Sequence, residues 1–230
     1  MYKNRIYLSK IDLSLNHDTY NSLLQAISKE NRERCRRFKF MEDALRTLYG
    51  ELILRHVLIQ HFSSNNEGIK ILKGESGKPY VSGVPIHFNI SHSGDFVVCA
   101  ISEQSIGIDI EKIVEVDLTL ATRYFCRCEY DDLLAQDKNN RHDYFFSLWT
   151  LKESYIKWLG GGMSIPLDSF YFKIADDGIS MTDTHRKTKP YFKQFYIDGY
   201  KLSLCSMFAN FPDKIQKISI EEMEYIAGRN

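Results

Sequence analysis

Three carboxylates and one lysine carry the first chemical signal in this sequence. In residues 106–111 (IGIDIE) Ile106, Ile108 and Ile110 alternate with Gly107, Asp109 and Glu111. A strand there puts both carboxylates on one face, with Cα atoms roughly 6.5 to 7 Å apart. Two like charges side by side call for a cation, and Gly107 is expected to leave open space beside Asp109. Farther along, Trp149, Glu153 and Lys157 follow at i, i+4 and i+8 and so share a helix face. Asp109, Glu111 and Glu153 together make an all-oxygen ligand set, which favours Mg²⁺ or Mn²⁺ over zinc. A lysine beside such an ion suits chemistry on phosphate. The plainer alternative is an acidic, half-exposed strand and a surface ion pair worth only a few tenths of a kcal/mol.

A second signal is basic. Residues 28–46 hold seven basic and four acidic side chains, whereas 103–117 hold one basic and five acidic, a polarity hidden by the net charge of zero. With Phe38 and Phe40 interleaved, the basic stretch admits a nucleic-acid contact, a small anionic ligand or simply a solvated helix start. Ser91 and His92 fall in SHSGD, read as a tight connection where hydroxyl, imidazole and loop amides converge on a phosphate.

These residues need elements to hold them. Residues 41–62 carry apolar positions at 41, 45, 48, 52 and 59, the period of an amphipathic helix. A loop at 63–68, a short strand at 69–72 and the turn-like GESGKPY of 74–80 follow. Residues 86–91 alternate, 96–102 form a buried run, and 106–111 alternate again, which reads as an antiparallel meander. A second helix spans 144–159, with Phe145, Leu148, Leu151, Tyr155 and Leu159 on one stripe and Gly160, Gly161 and Gly162 as its stop. Strands are expected at 169–174, 191–197 and 200–207. Helix and three strands thus occur twice, an α+β architecture of two similar halves. We place them at 1–105 and 106–230, packed closely around a shared cleft, where small-molecule sites tend to lie.

Composition bounds the alternatives. With 230 residues, 43% hydrophobic and 26% charged, disorder and coiled coil are excluded. The zero net charge gives no global field toward DNA or an anionic membrane. The longest strictly apolar run, Phe96–Ile101, is far below a membrane span, and Met1–Lys10 has no signal-peptide stretch, so a cytoplasmic protein without membrane contact is expected. Five cysteines at 35, 99, 126, 128 and 205 suggest neither a disulfide framework nor a zinc site; Cys126 and Cys128 read as ordinary thiols.

Taken together, GKPY (77–80), FNISHSGD (88–95), GIDIEK (107–112) and FFSLWTLKESYIKWLGGGMSIPLDSF (145–170), with CRRF (35–38) and RTL (46–48), resemble the 4′-phosphopantetheinyl transferases of the large, monomeric, surfactin-synthetase-activating class. The resemblance runs over nearly the whole chain. It implies two α+β halves related by pseudo-twofold symmetry, with coenzyme A clamped between them. It also implies Mg²⁺-dependent transfer of the phosphopantetheine arm to a serine of an acyl or peptidyl carrier protein, releasing adenosine 3′,5′-bisphosphate. Such enzymes serve nonribosomal peptide, antibiotic, fatty acid or polyketide synthesis.

By the same resemblance Asp109, Glu111 and Glu153 hold the ion, and Lys157 contacts the phosphoryl group under attack. Arg34, Thr47, Ser91 and His92 hold the 3′-phosphate, while Gly77, Lys78 and Pro79 border the adenine. The first half then supplies the nucleotide contacts and the second the ion, the catalytic helix and the carrier-protein dock. Asn31 stands where relatives often have lysine, which removes one cation from the 3′-phosphate site. A serine hydroxyl needs a base near neutral pH, and Glu153 or Glu111 is placed to serve. Residues 113–125 (IVEVDLTLATRYF), apolar with few charges, are expected to seat the carrier protein, with Leu118 and Leu120 as its centre. Two rivals remain at this stage: a metal-dependent nuclease or phosphohydrolase, and a non-catalytic binding module.

Overall fold

The computed structural model describes residues 4–62, 65–162 and 165–227. Ser63 and Ser64 of the expected loop, and Met163 and Ser164 beyond the glycines, lie outside the described residues. The chain opens with strand β1 (Arg5–Lys10), followed by α1 (His17–Gln25), capped by the Asn16 side chain, and α2 (Lys29–Arg37), capped by Ser28. These polar caps satisfy backbone N–H groups that the first helical turn leaves without partners. Helix α3 (Met41–Phe62) has the predicted extent. A small hairpin, β2 (Ile71–Lys73) with β3 (Pro79–Val81), precedes a larger one, β4 (His87–Ser93) with β5 (Phe96–Ser102). Strand β1 pairs antiparallel with β5, and α3 packs Leu45, Leu48, Leu52 and Val57 over Val97, Cys99 and Ile101 of that sheet.

Strand β6 (Ile106–Lys112) begins a second unit. A 3₁₀ turn at Leu118–Leu120 leads into α4 (Ala121–Tyr124), α5 (Arg127–Ala135) and the long α6 (Arg141–Leu159). Two hairpins follow, β7 (Phe170–Ala175) with β8 (Gly178–Asp183), and β9 (Tyr191–Ile197) with β10 (Tyr200–Ser206). The second sheet has the order β6-β10-β9, antiparallel throughout, and α6 packs on it through Leu148, Leu151 and Tyr155.

The expected meander therefore breaks after β5: β6 pairs with β10, not with its sequence neighbour. Between the sheets Ile6, Leu8, Val98 and Ala100 meet Ile106, Ile108, Ile110, Leu202 and Leu204, giving four layers in the order helix, sheet, sheet, helix. The alternation of β6 is real, but both of its faces are buried over Ile106–Ile110, and only Glu111 and Lys112 at its end reach water. The isoleucines fill the central layer, and the opposite face lies under α6.

The chain end returns to the first sheet. Strand β11 (Gln216–Lys217) pairs parallel with β1, and α7 (Ile220–Ala227) buries Met223 and Ile226 against the core around α1 and α3. The apolar residues of the last segment thus close the first half rather than the second.

Candidate active site

Gly107 sets the site. Any Cβ there would collide with the Ser154 carbonyl oxygen and the backbone of Trp158. The missing side chain does not open space beside Asp109, as the sequence suggested. It lets α6 settle directly on β6, which brings Glu153 and Lys157 over Asp109 and Glu111.

The free edge of β6 is closed from the other half. Alternate residues of β4 accept its backbone N–H groups: Asn89 Oδ1 from Ile108 (2.9 Å), Ser91 Oγ from Ile110 (3.5 Å) and Ser93 Oγ from Lys112 (3.2 Å). The same two serines donate to the carboxylates, Ser91 to Asp109 Oδ1 (2.8 Å) and Ser93 to Glu111 Oε2 (2.6 Å). Lys157 Nζ completes the group, 2.6 Å from Asp109 Oδ1 and 2.8 Å from Ser91 Oγ.

Asp109 is only 2% exposed, and its Oδ2 is buried with no hydrogen-bond partner among the described residues. An unmet buried acceptor of this kind costs about 1 to 3 kcal/mol, more when charged. Burial, and then the Asp109 charge, push the Glu111 carboxyl up to about 7. Burial and the same charge also raise Glu153, with Lys157 acting in the opposite sense. These carboxylates destabilise one another's ionised forms, which a divalent cation would relieve.

The cage of three ligands expected from the sequence is not preassembled, because no three acidic, histidine or cysteine side chains among the described residues converge on one point. Instead the Lys157 ammonium sits on Asp109. A Mg²⁺ ion commonly takes only one or two carboxylates and completes its shell with water and phosphate oxygens. The orphaned Asp109 Oδ2, beside two carboxyls with raised pKa, fits that mode.

Glu153 and Lys157 line a cleft of about 740 Å³, together with Ser76, Gly77, Lys78 and Pro79 and with Trp149 and Ile156, while Asp109 lies buried beneath Lys157. Arg123 and Tyr124 of α4 reach its rim. Pro79 also borders a smaller recess of about 240 Å³, where Arg34, Thr47 and His92 converge with Asn31 and Arg46.

Ser91 does not join them. It and His92 belong to β4 rather than to a connection, so they point to opposite faces, and the Ser91 hydroxyl is taken up by Asp109 and Lys157. Burial holds the His92 pKa below its usual value, helped by the charges of Lys157 and Arg46. Asn31 donates to the buried Glu51 (2.6 Å), which also pairs with Arg55 (2.7 Å), so this amide completes an internal network instead of charging the recess.

The Lys78 ammonium donates to the backbone carbonyls of Ile106 (3.1 Å) and Lys157 (2.7 Å). In the 113–125 segment Val114, Leu120 and Tyr124 are exposed, but Val116 and Leu118 pack against the second core.

Three participants escaped the sequence reading. Arg46, inside the quoted RTL, lines the recess and donates to the Gly94 carbonyl (2.9 Å). Ser93 holds Glu111. Lys152 is wholly buried and paired with Glu129 (2.8 Å), and its only sequence signal was a charge at an apolar position of α6. All five cysteines are free, and burial with the neighbouring Cys128 pushes the Cys126 thiol up to about 12, away from reactivity.

Comparison with known proteins covers both halves. The family model described as 4′-phosphopantetheinyl transferase, N-terminal, matches residues 15–104, and that of the 4′-phosphopantetheinyl transferase superfamily matches 105–205. The chain is 42% identical over 224 residues to 4′-phosphopantetheinyl transferase Sfp of Bacillus subtilis (strain 168), covering 95% of this chain and 99% of that one. It is 40% identical over 219 residues to 4′-phosphopantetheinyl transferase gsp of Aneurinibacillus migulanus, covering 93% and 91%. An L-aminoadipate-semialdehyde dehydrogenase-phosphopantetheinyl transferase of Xenopus laevis is 27% identical over 180 residues, covering 72% of this chain and 60% of that one. These matches give the nuclease reading no support.

Proposed function

Since the chain belongs to the 4′-phosphopantetheinyl transferase superfamily, and is an enzyme that moves the 4′-phosphopantetheine arm of coenzyme A to carrier proteins, we propose how its cleft performs the transfer. The recess of Arg34, Arg46, Thr47 and His92 takes the 3′-phosphate, and the backbone of Gly77–Pro79 borders the adenine. The pyrophosphate then lies over Asp109, where Asp109, Glu111 and Glu153 would hold Mg²⁺. When bound, that ion supplies positive charge to the pyrophosphate oxygens.

The chain's own residues do the rest. The carrier serine oxygen forms a bond to the phosphorus bearing the pantetheine arm. The bond from that phosphorus to the bridging oxygen breaks, and its electron pair leaves with adenosine 3′,5′-bisphosphate. Lys157, already at the floor of the cleft, donates to the phosphoryl group as charge accumulates there. Glu153 takes the serine proton: it opens onto the cleft, and its raised pKa brings it nearer to a useful base at neutral pH. Glu111, engaged by Ser93, is the weaker candidate.

The exposed Val114, Leu120 and Tyr124, next to the rim formed by α4, seat the carrier protein and deliver its serine. The first half thus recognises the nucleotide, the second carries out the transfer, and one chain contains the whole cleft, as a monomeric cytoplasmic enzyme requires.

The observation that supports this reading most is the buried, unpartnered Asp109 Oδ2 beside Lys157. The test is the intact mass of an apo carrier protein incubated with enzyme and coenzyme A. One arm should be added with Mg²⁺, none under EDTA, and the addition should return with excess Mg²⁺. Transfer indifferent to EDTA would remove the ion from the site.

A further inference from the structure

We propose that Lys78 is a positioning residue, a latch from the nucleotide wall that fixes the last turn of α6 and thereby Lys157. Its Nζ donates to the carbonyls of Lys157 (2.7 Å), Ile106 (3.1 Å) and Trp158 (3.3 Å), and approaches Ser105 Oγ at 3.5 Å. Two of these acceptors are carbonyls of the last turn of α6. That turn lacks intrahelical partners and carries the negative end of the helix dipole, so a cation is favoured there.

Other features secure the same point. Ser105 Oγ donates to the Trp158 carbonyl at 2.7 Å. Gly160 ends the helix in the left-handed region at φ 76°, and the stem of Lys78 lies across it: a Cβ on Gly160 would come 3.2 Å from Lys78 Cδ. The chain of contacts therefore runs from the loop at 77–79, through one side chain, to the helix that carries Glu153 and Lys157 over Asp109.

The consequence is specific. Gly77, Lys78 and Pro79 line the cleft, while the ammonium of Lys78 holds the end of α6 on its opposite wall. Loss of the latch would let the end of α6 drift, and a displacement of about 1 Å at a reacting centre can cost roughly 100-fold in rate. A nucleotide contact would instead act on affinity. The inference rests on Lys157 acting at the transferring phosphoryl group, so the two must be separable.

Steady-state transfer to an apo carrier protein is measured for wild type, Lys157→Ala, Lys78→Met and Lys78→Arg. Amide exchange is followed for the peptide spanning the end of α6. Lys78→Met should lower kcat by about 10- to 100-fold, shift the KM for coenzyme A by less than about threefold, and speed exchange at the end of α6. Lys78→Arg, which keeps the charge and the donors, should recover part of the loss. If Lys78→Met fails to fold, Ser105→Ala removes the other donor onto Trp158 and should lower kcat severalfold at unchanged KM.

A raised KM with wild-type kcat would overturn the latch and make Lys78 a nucleotide contact, and unchanged kcat and exchange would overturn it as well. Wild-type kcat in Lys157→Ala would instead overturn the site reading on which the latch depends.

Discussion

Lys152 and Lys157 stand on the same helix, and each meets a carboxylate, but the two pairs are built to opposite ends. Lys152 and Glu129 are both 0% exposed and complete. The ammonium also donates to the carbonyls of Leu167 (2.7 Å) and Phe170 (2.8 Å) and lies over the Phe170 ring. Glu129 accepts from the backbone N–H of Cys126 (3.0 Å) and of Phe172 (2.9 Å). The Lys157 side chain is 26% exposed beside the buried Asp109, and one oxygen of that pair has no partner among the described residues. The saturated pair ties α5, α6 and β7 into one body. The unsaturated one has its lysine on the cleft and an unmet carboxylate oxygen buried behind it, an electrostatic demand of the kind that an ion can meet. Charge burial alone does not mark a catalytic centre; incompleteness within a preorganised surround does.

The comparison breaks first at Lys152. Lys152→Met would strand the Glu129 charge, at a cost of about 3 to 5 kcal/mol, and lower the melting temperature by roughly 6 to 20 °C. Thermal unfolding checks this, and a loss below about 1 kcal/mol would mean that the pair is not the structural hub described. Lys157→Ala should act chiefly on the reaction: kcat falls about 100- to 1,000-fold, about 2.7 to 4 kcal/mol, while coenzyme A affinity stays close to wild type and melting falls less than in Lys152→Met, because Lys157 is part-exposed and water can reach the place it leaves. If only affinity changed, Lys157 would be a ground-state contact.

The recess offers a smaller contrast of the same kind, between Asn31, committed to Glu51, and His92, which lines the recess beside Arg34 and Arg46. His92→Ala should weaken coenzyme A more than dephospho-coenzyme A, by about 1.5 to 3 kcal/mol for one charge-assisted bond. Calorimetric titration of both ligands tests it, and equal losses would take His92 out of the phosphate site. The smallest effect separates two leucines. Leu120→Asp should raise the KM for carrier protein about tenfold, near 1.4 kcal/mol, without changing stability. Leu118→Asp, packed against the second core, should lower the melting temperature instead. Reversal of the two would relocate the dock.

What was legible in the sequence was local. The alternation of 106–111 and the period of 144–159 put the three carboxylates and Lys157 on the faces that β6 and α6 turn toward each other, because both patterns are set within a few residues. What fills the space at Gly107 was not legible, since it is the backbone of α6, some fifty positions away. Ser91 and His92 were read as part of a connection, but β4 runs to Ser93 and so puts them on opposite faces of a strand. The return of β11 and α7 and the inward turn of Lys78 depend on partners at the far side of the fold. Lys152 was overlooked because a lysine in a helix is ordinarily a surface group, and only its neighbours make it otherwise.

The most direct test of the central claim is the intact mass of an apo carrier protein after incubation with coenzyme A, Mg²⁺ and either the wild-type enzyme or Asp109→Ala, at matched concentrations and with both shown to melt alike. The account predicts one phosphopantetheine arm added by the wild type and none by Asp109→Ala over the same interval. Transfer by Asp109→Ala at a rate near that of the wild type would contradict it.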